Sequence, residues 1–371
     1  MIDDSWYLID DVENLDTPAL AIYTERVNNN IDLLKGMIDD VSRLRPHAKT
    51  NKSKEATQVL LKNGITKFKC ATIAEAEMLG MCNAPDVLLA FQPYGPKIER
   101  FLLVVKTYPK TKFSCLVDNF KTLIEISTLA VSNNVDIGIF IDINVGQNRT
   151  GILPGNGAIQ LYIDCMNLPR VNPIGLHVYD GHINQSDLAV RTRLVSAYFD
   201  EIKTLQTDLR SIGYPAPVIL AGGTTTFAIH SQKPDIECSP GTFIYWDYNY
   251  QNLFKELPFL PAALVIARVI SLPDKTKICL DLGHKSIASE NELNNRVYFL
   301  NAPNLKFISH SEEHLVAEAG AKHTFKIGDV LYGMPFHICP TVALYDKAST
   351  IENNKISGEW ENIARKRKIT I

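Results

Sequence analysis

The sequence predicts an α/β protein, a (β/α)8 TIM-type barrel followed by a mostly β C-terminal domain. Three observations lead to this reading. From about residue 43 to 242, strand-like and helix-like segments alternate, which implies a parallel sheet. Eight strand-like segments fall within that tract, the number a closed barrel needs, although an open doubly wound sheet has the same local signature. After Tyr250 the helical spacing fades and strand-like runs follow one another.

The first 20 residues end in Asp16-Thr17-Pro18-Ala19-Leu20 and are expected to pair with the second domain; a helix over 24–39 leads into the barrel. Barrel strands are expected at 43–48, 67–71, 86–90, 112–117, 137–143, 173–179, 217–222 and 235–239. Helices are expected at 54–63, 73–82, 97–107, 119–132, 157–167 and 187–212. Asp118-Asn119 offers an N-cap to the fourth of these. In the last, Val195, Tyr198, Ile202, Leu205 and Leu209 recur at spacings of three and four and mark one helical face. In the second domain, strands are expected at 262–271, 277–283, 295–300, 305–309, 329–333 and 342–345, with Asn353-Asn354 turning a hairpin into a terminal strand near Trp360. The expected boundaries are 22–250 for the barrel and 252–371, with 1–20, for the β domain. The basic run Arg365–Lys368 reads as a solvated surface.

Bulk properties exclude several classes. With 371 residues, 46% hydrophobic and 21% charged, the chain can bury a large core. A net charge of -3 gives no support to nucleic-acid or anionic-membrane binding. The seven cysteines lack CxxC spacing, and Cys70, Cys115 and Cys279 lie in apolar runs, which fits reduced thiols in the cytoplasm. The start Met-Ile-Asp-Asp has no apolar signal core, and no run approaches the ~20 residues that span a bilayer.

The chemistry is expected at the C-terminal ends of the barrel strands. Arg45, His47 and Lys49 alternate with Leu44, Pro46 and Ala48, so a strand here turns three basic groups to one face. An inward lysine is paired, neutralised or covalently used, for example as an imine to a cofactor aldehyde; in a loop all three would simply be solvated. Ala221-Gly222-Gly223-Thr224-Thr225-Thr226 and Ser239-Pro240-Gly241-Thr242 follow the seventh and eighth strands, where barrels bind phosphate, although tight turns also use glycine. Arg149 after the fifth strand could face a ring nitrogen only as a donor, or pair with a carboxylate at the surface. His177 and Tyr179 share a face on the sixth strand. Read as a strand, Phe336-His337-Ile338-Cys339 puts His337 and Cys339 on one side, roughly 7 Å apart at Cα. They could share a Zn²⁺ with His314 as a candidate third partner, or Cys339 could simply be buried.

Taken together, RPHAKT at 45–50, INVGQNRTG at 143–151, GLHVYDGH at 175–182, AGGT at 221–224 and HICPT at 337–341 resemble the D-threonine aldolase and D-serine dehydratase group of fold-type III pyridoxal-phosphate (PLP) enzymes, relatives of alanine racemase. The resemblance spans nearly the whole chain. It implies that Lys49 carries PLP, that His47 lies beside it, and that Arg149 lies near the pyridine nitrogen and weakens the ring as an electron sink. It makes Tyr179 an active-site tyrosine and Gly222, Gly223, Thr224, Gly241 and Thr242 the phosphate loops. His337 and Cys339 become the pair that binds Zn²⁺ or Mn²⁺. Many relatives have a histidine where this chain has Asn51, which puts that histidine's role in doubt here. The implied reaction is cleavage of a D-β-hydroxy amino acid to glycine and an aldehyde, with metal on the β-hydroxyl. The alternatives are dehydration of D-serine, D-threonine or D-3-hydroxyaspartate with Zn²⁺ and, further off, a racemase or a non-catalytic PLP carrier. The resemblance also implies a homodimer, each barrel mouth capped by the partner's β domain.

Overall fold

The structure, a computed structural model, describes residues 5–371; the acidic start Met1–Asp4 lies outside the described residues. The chain forms two compact units. One holds Leu34–Lys49, Thr57–Gly241 and Lys366–Ile371; the other holds the chain up to Leu33, Thr50–Ala56 and Thr242–Arg365.

The first unit is the barrel. Lys67–Cys70, Asp86–Leu89, Lys112–Val117, Ile137–Ile143, Val171–Val178, Val218–Ala221 and Ile236–Cys238 form a parallel sheet in sequence order. The expected first strand is reduced to bridges, because Pro46 has no N–H to donate. Those bridges still join the two edges of the sheet. Arg45 N–H donates to Cys238 O (2.8 Å) and His47 N–H to Pro240 O (2.9 Å) on one side. On the other side Lys69 N–H donates to Pro46 O (2.9 Å) and Ala48 N–H to Lys69 O (2.8 Å). Eight segments therefore close into a ring with no free edge.

The helices follow the sequence reading closely. Asn119 caps Phe120–Asn133 by accepting the Thr122 N–H, and Asp187 caps Leu188–Ser211. Val195, Ile202, Leu205 and Leu209 on the predicted face of the latter are buried. Inside the ring, Leu88, Leu116, Phe140 and Leu220 form an apolar layer. Gly175 is required there: a Cβ would stand 2.2 Å from Val218 O and 2.9 Å from the Phe140 ring.

A charged network centres on Arg45, 2% exposed. Its guanidinium donates to both carboxylate oxygens of Asp86 (2.6 and 3.1 Å) and to Glu237 (2.9 Å), which also pairs with Lys67.

The second unit is mostly antiparallel. Its main sheet runs Lys306–His310, Leu315–Glu318, Lys277–Leu280, Ala263–Ser271, Ala19–Tyr23, Lys347–Glu352 and Lys355–Glu361. Val297–Phe299 and Val330–Pro335 branch from Ala263–Ser271. Ala19–Tyr23 pairs antiparallel with Ala263–Ser271 and parallel with Lys347–Glu352. The predicted hairpin turn forms with φ 48° at Asn353 and 60° at Asn354, the left-handed pair that a two-residue turn requires. The expected strand at 342–345 is absent: Ile338–Val342 is a short helix followed by a turn. Leu315–Glu318 and Lys347–Glu352 are strands that the apolar spacing did not signal.

Arg45→Met would take from buried Glu237 the more deeply buried of its two counter-charges. It is expected to destabilise the protein by about 3–5 kcal/mol, read from urea midpoints. Lys67→Met, at the more exposed end of the same network, is expected to cost no more than about 1 kcal/mol.

Candidate active site

The barrel segment ending at Lys49 opens onto a cavity of about 400 Å³. His47, Lys49, Lys69, Gln92, Asp118, Asp142, Arg149, His177 and Tyr179 line it. The pleat explains the first two, since His47 and Lys49 sit two residues apart on one face. The Lys49 N–H donates to His47 Nδ1 (3.2 Å), which fixes that ring against the backbone.

The fifth and sixth strands supply a buried pair. His177 Nδ1 lies 2.7 Å from an Asp142 oxygen, and Thr150 Oγ1 donates to the other oxygen (2.8 Å). Burial dominates at His177 and lowers its pKa despite the carboxylate, so the ring is neutral near pH 7. Burial works the other way on Asp142, but the His177 hydrogen bond, Thr150 and the Arg149 cation outweigh it and hold the carboxyl below its usual value. Asp142 therefore accepts the Nδ1 proton, and Nε2 is the acceptor nitrogen. That Nε2 is buried and has no partner among the described residues. Tyr179 stacks on His177 at 6.4 Å, with Arg149 5.2 Å and Lys69 5.3 Å from its ring centre.

The loop after the seventh strand carries Gly222 at φ +74°, where a Cβ would meet His230 and Thr226 at 2.7 Å. Gly223 brings the loop against Tyr179, 3.1 Å from a built Cβ. Gly241 N–H donates to Thr224 Oγ1 (3.0 Å), tying together the loops after strands seven and eight. The hydroxyls of Thr225 and Ser239, one in each loop, are buried with no partner among the described residues. Behind them Asp180 accepts from Thr226 (2.8 Å) and Tyr198 (2.7 Å) and meets His230 Nε2 at 2.9 Å. This buried knot pins the seventh loop to the end of the sixth strand. Sequence reading missed it, because its four members lie far apart in the chain.

Thr242 belongs to the other unit, with His337 and Cys339. The strand expected for that pair is not formed: His337 is the N-cap of the helix Ile338–Val342, and Cys339 lies in its first turn. A helix start places the side chains at positions one and three differently from a pleat, yet Cys339 remains near enough to His337 to raise its pKa. Cys339 Sγ is 3.2 Å from Thr50 Oγ1 and 3.8 Å from Thr242 Oγ1. His337 Nδ1 is 2.5 Å from Glu290 Oε1. Burial pulls the His337 pKa down, but Cys339, Glu290 and Asp247 push it up to about 9. Among the described residues no three His, Cys, Asp or Glu side chains converge in metal-binding geometry, so His314 does not complete the pair. Imidazole nitrogen and thiolate sulfur are donor types that zinc accepts, and two of them among the described residues do not close a structural site.

Barrel and cavity together define a fold-type III PLP protein. Residues 22–249 match the family model "Alanine racemase, N-terminal domain", and the chain belongs to that family. Residues 262–351 match "Putative serine dehydratase domain". The chain is 25% identical to D-threonine aldolase from Arthrobacter sp. over 370 residues, 96% of this chain and 94% of that one. Its fold matches the crystal structure of D-threonine aldolase from Filomicrobium marinum at a TM-score of 0.87 and 23% identity, over 95% of this chain and 96% of that chain. A cysteine-to-alanine variant of D-threo-3-hydroxyaspartate dehydratase, solved in a metal-free form, matches at 0.80 and 20% identity, over 94% and 98%. Among the described residues no helix is long and apolar enough to cross a membrane.

Asp180 is held below its usual 3.8: burial raises it, but the contacts of His230, Tyr198 and Thr226 outweigh burial. Its contribution to stability is therefore complete above about pH 4 and lost as pH falls through the depressed folded value. Asp180→Asn is expected to lower stability at pH 7 by about 1–3 kcal/mol. The gap from wild type should narrow in denaturation series taken below pH 4; a gap independent of pH would contradict the charged role.

Proposed function

We propose that the protein is a PLP- and divalent-metal-dependent lyase of D-β-hydroxy amino acids, acting as an aldolase that yields glycine and an aldehyde. The observation carrying this reading is the cavity where Lys49, Arg149, Tyr179 and a neutral, Asp142-backed His177 meet. Those residues fit PLP. Lys49 Nζ is the amine to hold its aldehyde, and Tyr179 gives a flat face. Gly222, Gly223, Thr224 and Gly241 shape the two loops, and the unpartnered Thr225 and Ser239 hydroxyls within them are donors available to a phosphate. When bound, PLP supplies an electron sink for bonds at the α-carbon. His337 and Cys339 would hold a Zn²⁺, or a Mn²⁺, able to polarise the β-hydroxyl.

The chain's own residues then divide the work. Lys49 is the amine that exchanges with substrate and the natural acceptor of an α-proton. Asp142 keeps the proton on His177 Nδ1, so Nε2 offers a lone pair without adding a cation beside Arg149. Arg149 brings a guanidinium to the cavity that balances anionic groups there. The thiol of Cys339 supports a second reading, a Zn²⁺-dependent dehydratase, because sulfur with imidazole selects zinc. The working form in either reading is a homodimer.

The deciding measurement is product analysis with D-threonine, D-serine and D-3-hydroxyaspartate. Glycine with an aldehyde is expected; a 2-oxo acid with ammonia would transfer the assignment to the dehydratase. Chelation or Cys339→Ala is expected to lower kcat/KM by at least about 100-fold. Lys49→Ala is expected to abolish the visible absorption band of the bound cofactor; a wild type purified with PLP that shows no such band would remove the reading.

A further inference from the structure

Lys69 presents a second burial problem in the same cavity. It lies on the second barrel strand, 2% exposed, in register with His47 and lining the cavity beside Lys49. Among the described residues no side chain accepts a hydrogen bond from it or pairs with it, unlike Lys67 two residues earlier, which reaches Glu237. Its ammonium end is 5.3 Å from the Tyr179 ring. The charged groups around it are Lys49 and Arg45 from the first segment, Asp142 from the fifth strand and Asp180 beyond the sixth. Neutral His177 and Arg149 line the same space. A buried lysine without a carboxylate partner is costly as a cation.

We propose that Lys69 is a second working amine of this cavity: its Nζ takes up the proton released when Lys49 Nζ attacks a carbonyl, and returns it when Lys49 is released. This rests on the reading that the cavity holds PLP. When Lys49 captures an aldehyde, the nitrogen–carbon bond forms and the carbonyl oxygen leaves as water with the two amine protons. The extra ammonium proton resides on Lys69, and no electron changes hands. The environment suits this task. Burial first, then the Lys49 and Arg45 charges, bring the Lys69 pKa down to about 7 against the pull of Asp180 and Asp142. An amine poised there gains or loses a proton near neutral pH with little driving force.

Two measurements test it. In the holoenzyme, the pH midpoint of the cofactor's visible band is compared in wild type, Lys69→Met and Lys69→Arg. Removing the titrating neighbour should raise the midpoint and a permanent cation should lower it, each by about 0.5–1 unit. A role in packing alone would not give opposite signs, and equal midpoints in all three proteins overturn the proposal. The second measurement needs no variant. Wild-type chain is acetylated in brief pulses across a pH series and read by peptide mass spectrometry. Lys69 should be half-maximally labelled near pH 7, well below surface lysines; labelling only alongside the surface lysines, or none at any pH, overturns it. If wild type shows no visible band, the PLP reading falls, and the labelling still decides whether Lys69 is a neutral amine.

Discussion

Closure of the barrel along Leu44–Ala48 is the constraint on which the cavity depends. Four backbone hydrogen bonds hold this segment between the eighth and second strands. With both edges engaged, the pleat has no freedom to rotate, and the alternation of side chains becomes obligatory. Arg45 goes into the barrel, where Asp86 and Glu237 meet it. His47 and Lys49 follow on the same face, and both line the cavity. Pro46 interrupts the ladder but leaves its carbonyl to the second strand, so the segment carries the closure without being a regular strand.

The barrel interior is unusual in being charged below and above a thin apolar layer of Leu88, Leu116, Phe140 and Leu220. The lower charges are balanced: Arg45 and Lys67 against Asp86 and Glu237. The upper ones are less so. Lys49, Lys69 and Arg149 share the cavity with Asp118 and with an Asp142 already engaged by His177 and Thr150. Lysine and arginine side chains outnumber carboxylates among the lining residues, an arrangement that suits an anionic cofactor or substrate. In the other unit, His337 and Cys339 are supported by Glu290, Asp247, Thr50 and Thr242, a set of polar neighbours that orients two soft donors.

Much of the fold was legible because local pattern and burial agree in a parallel barrel. Its strands are short apolar runs between amphipathic helices, and both signals survive in one sequence. Agreement was poorer in the β unit. Ile338–Val342 is apolar and short, so helix and strand cannot be told apart by periodicity, and the tertiary context chose helix. Leu315–Glu318 and Lys347–Glu352 have polar residues on one face and gave no apolar run to notice. At the site, Lys49, Arg149 and Tyr179 stood out through their motifs. Lys69 carried the same signal as Lys49, a basic residue alternating along a buried strand, but Lys67-Phe68-Lys69 has the look of a solvated edge. The Asp180–His230–Tyr198–Thr226 knot joins residues up to 50 positions apart, beyond the reach of any local pattern.

By itself, the sequence determined the order of strands and helices, the positions of the capping residues, and which side chains could serve a PLP barrel. These depend on local periodicity and on residue chemistry, both written in neighbouring letters. Only the tertiary structure decided which charges are paired, which are stranded and which ring is neutral. Burial and partner distance control those properties, and both arise from contacts between distant parts of the chain. Lys67 and Lys69 make the distinction plain: the same residue type on the same strand, two positions apart, one in an ion pair with Glu237 and the other left facing Lys49.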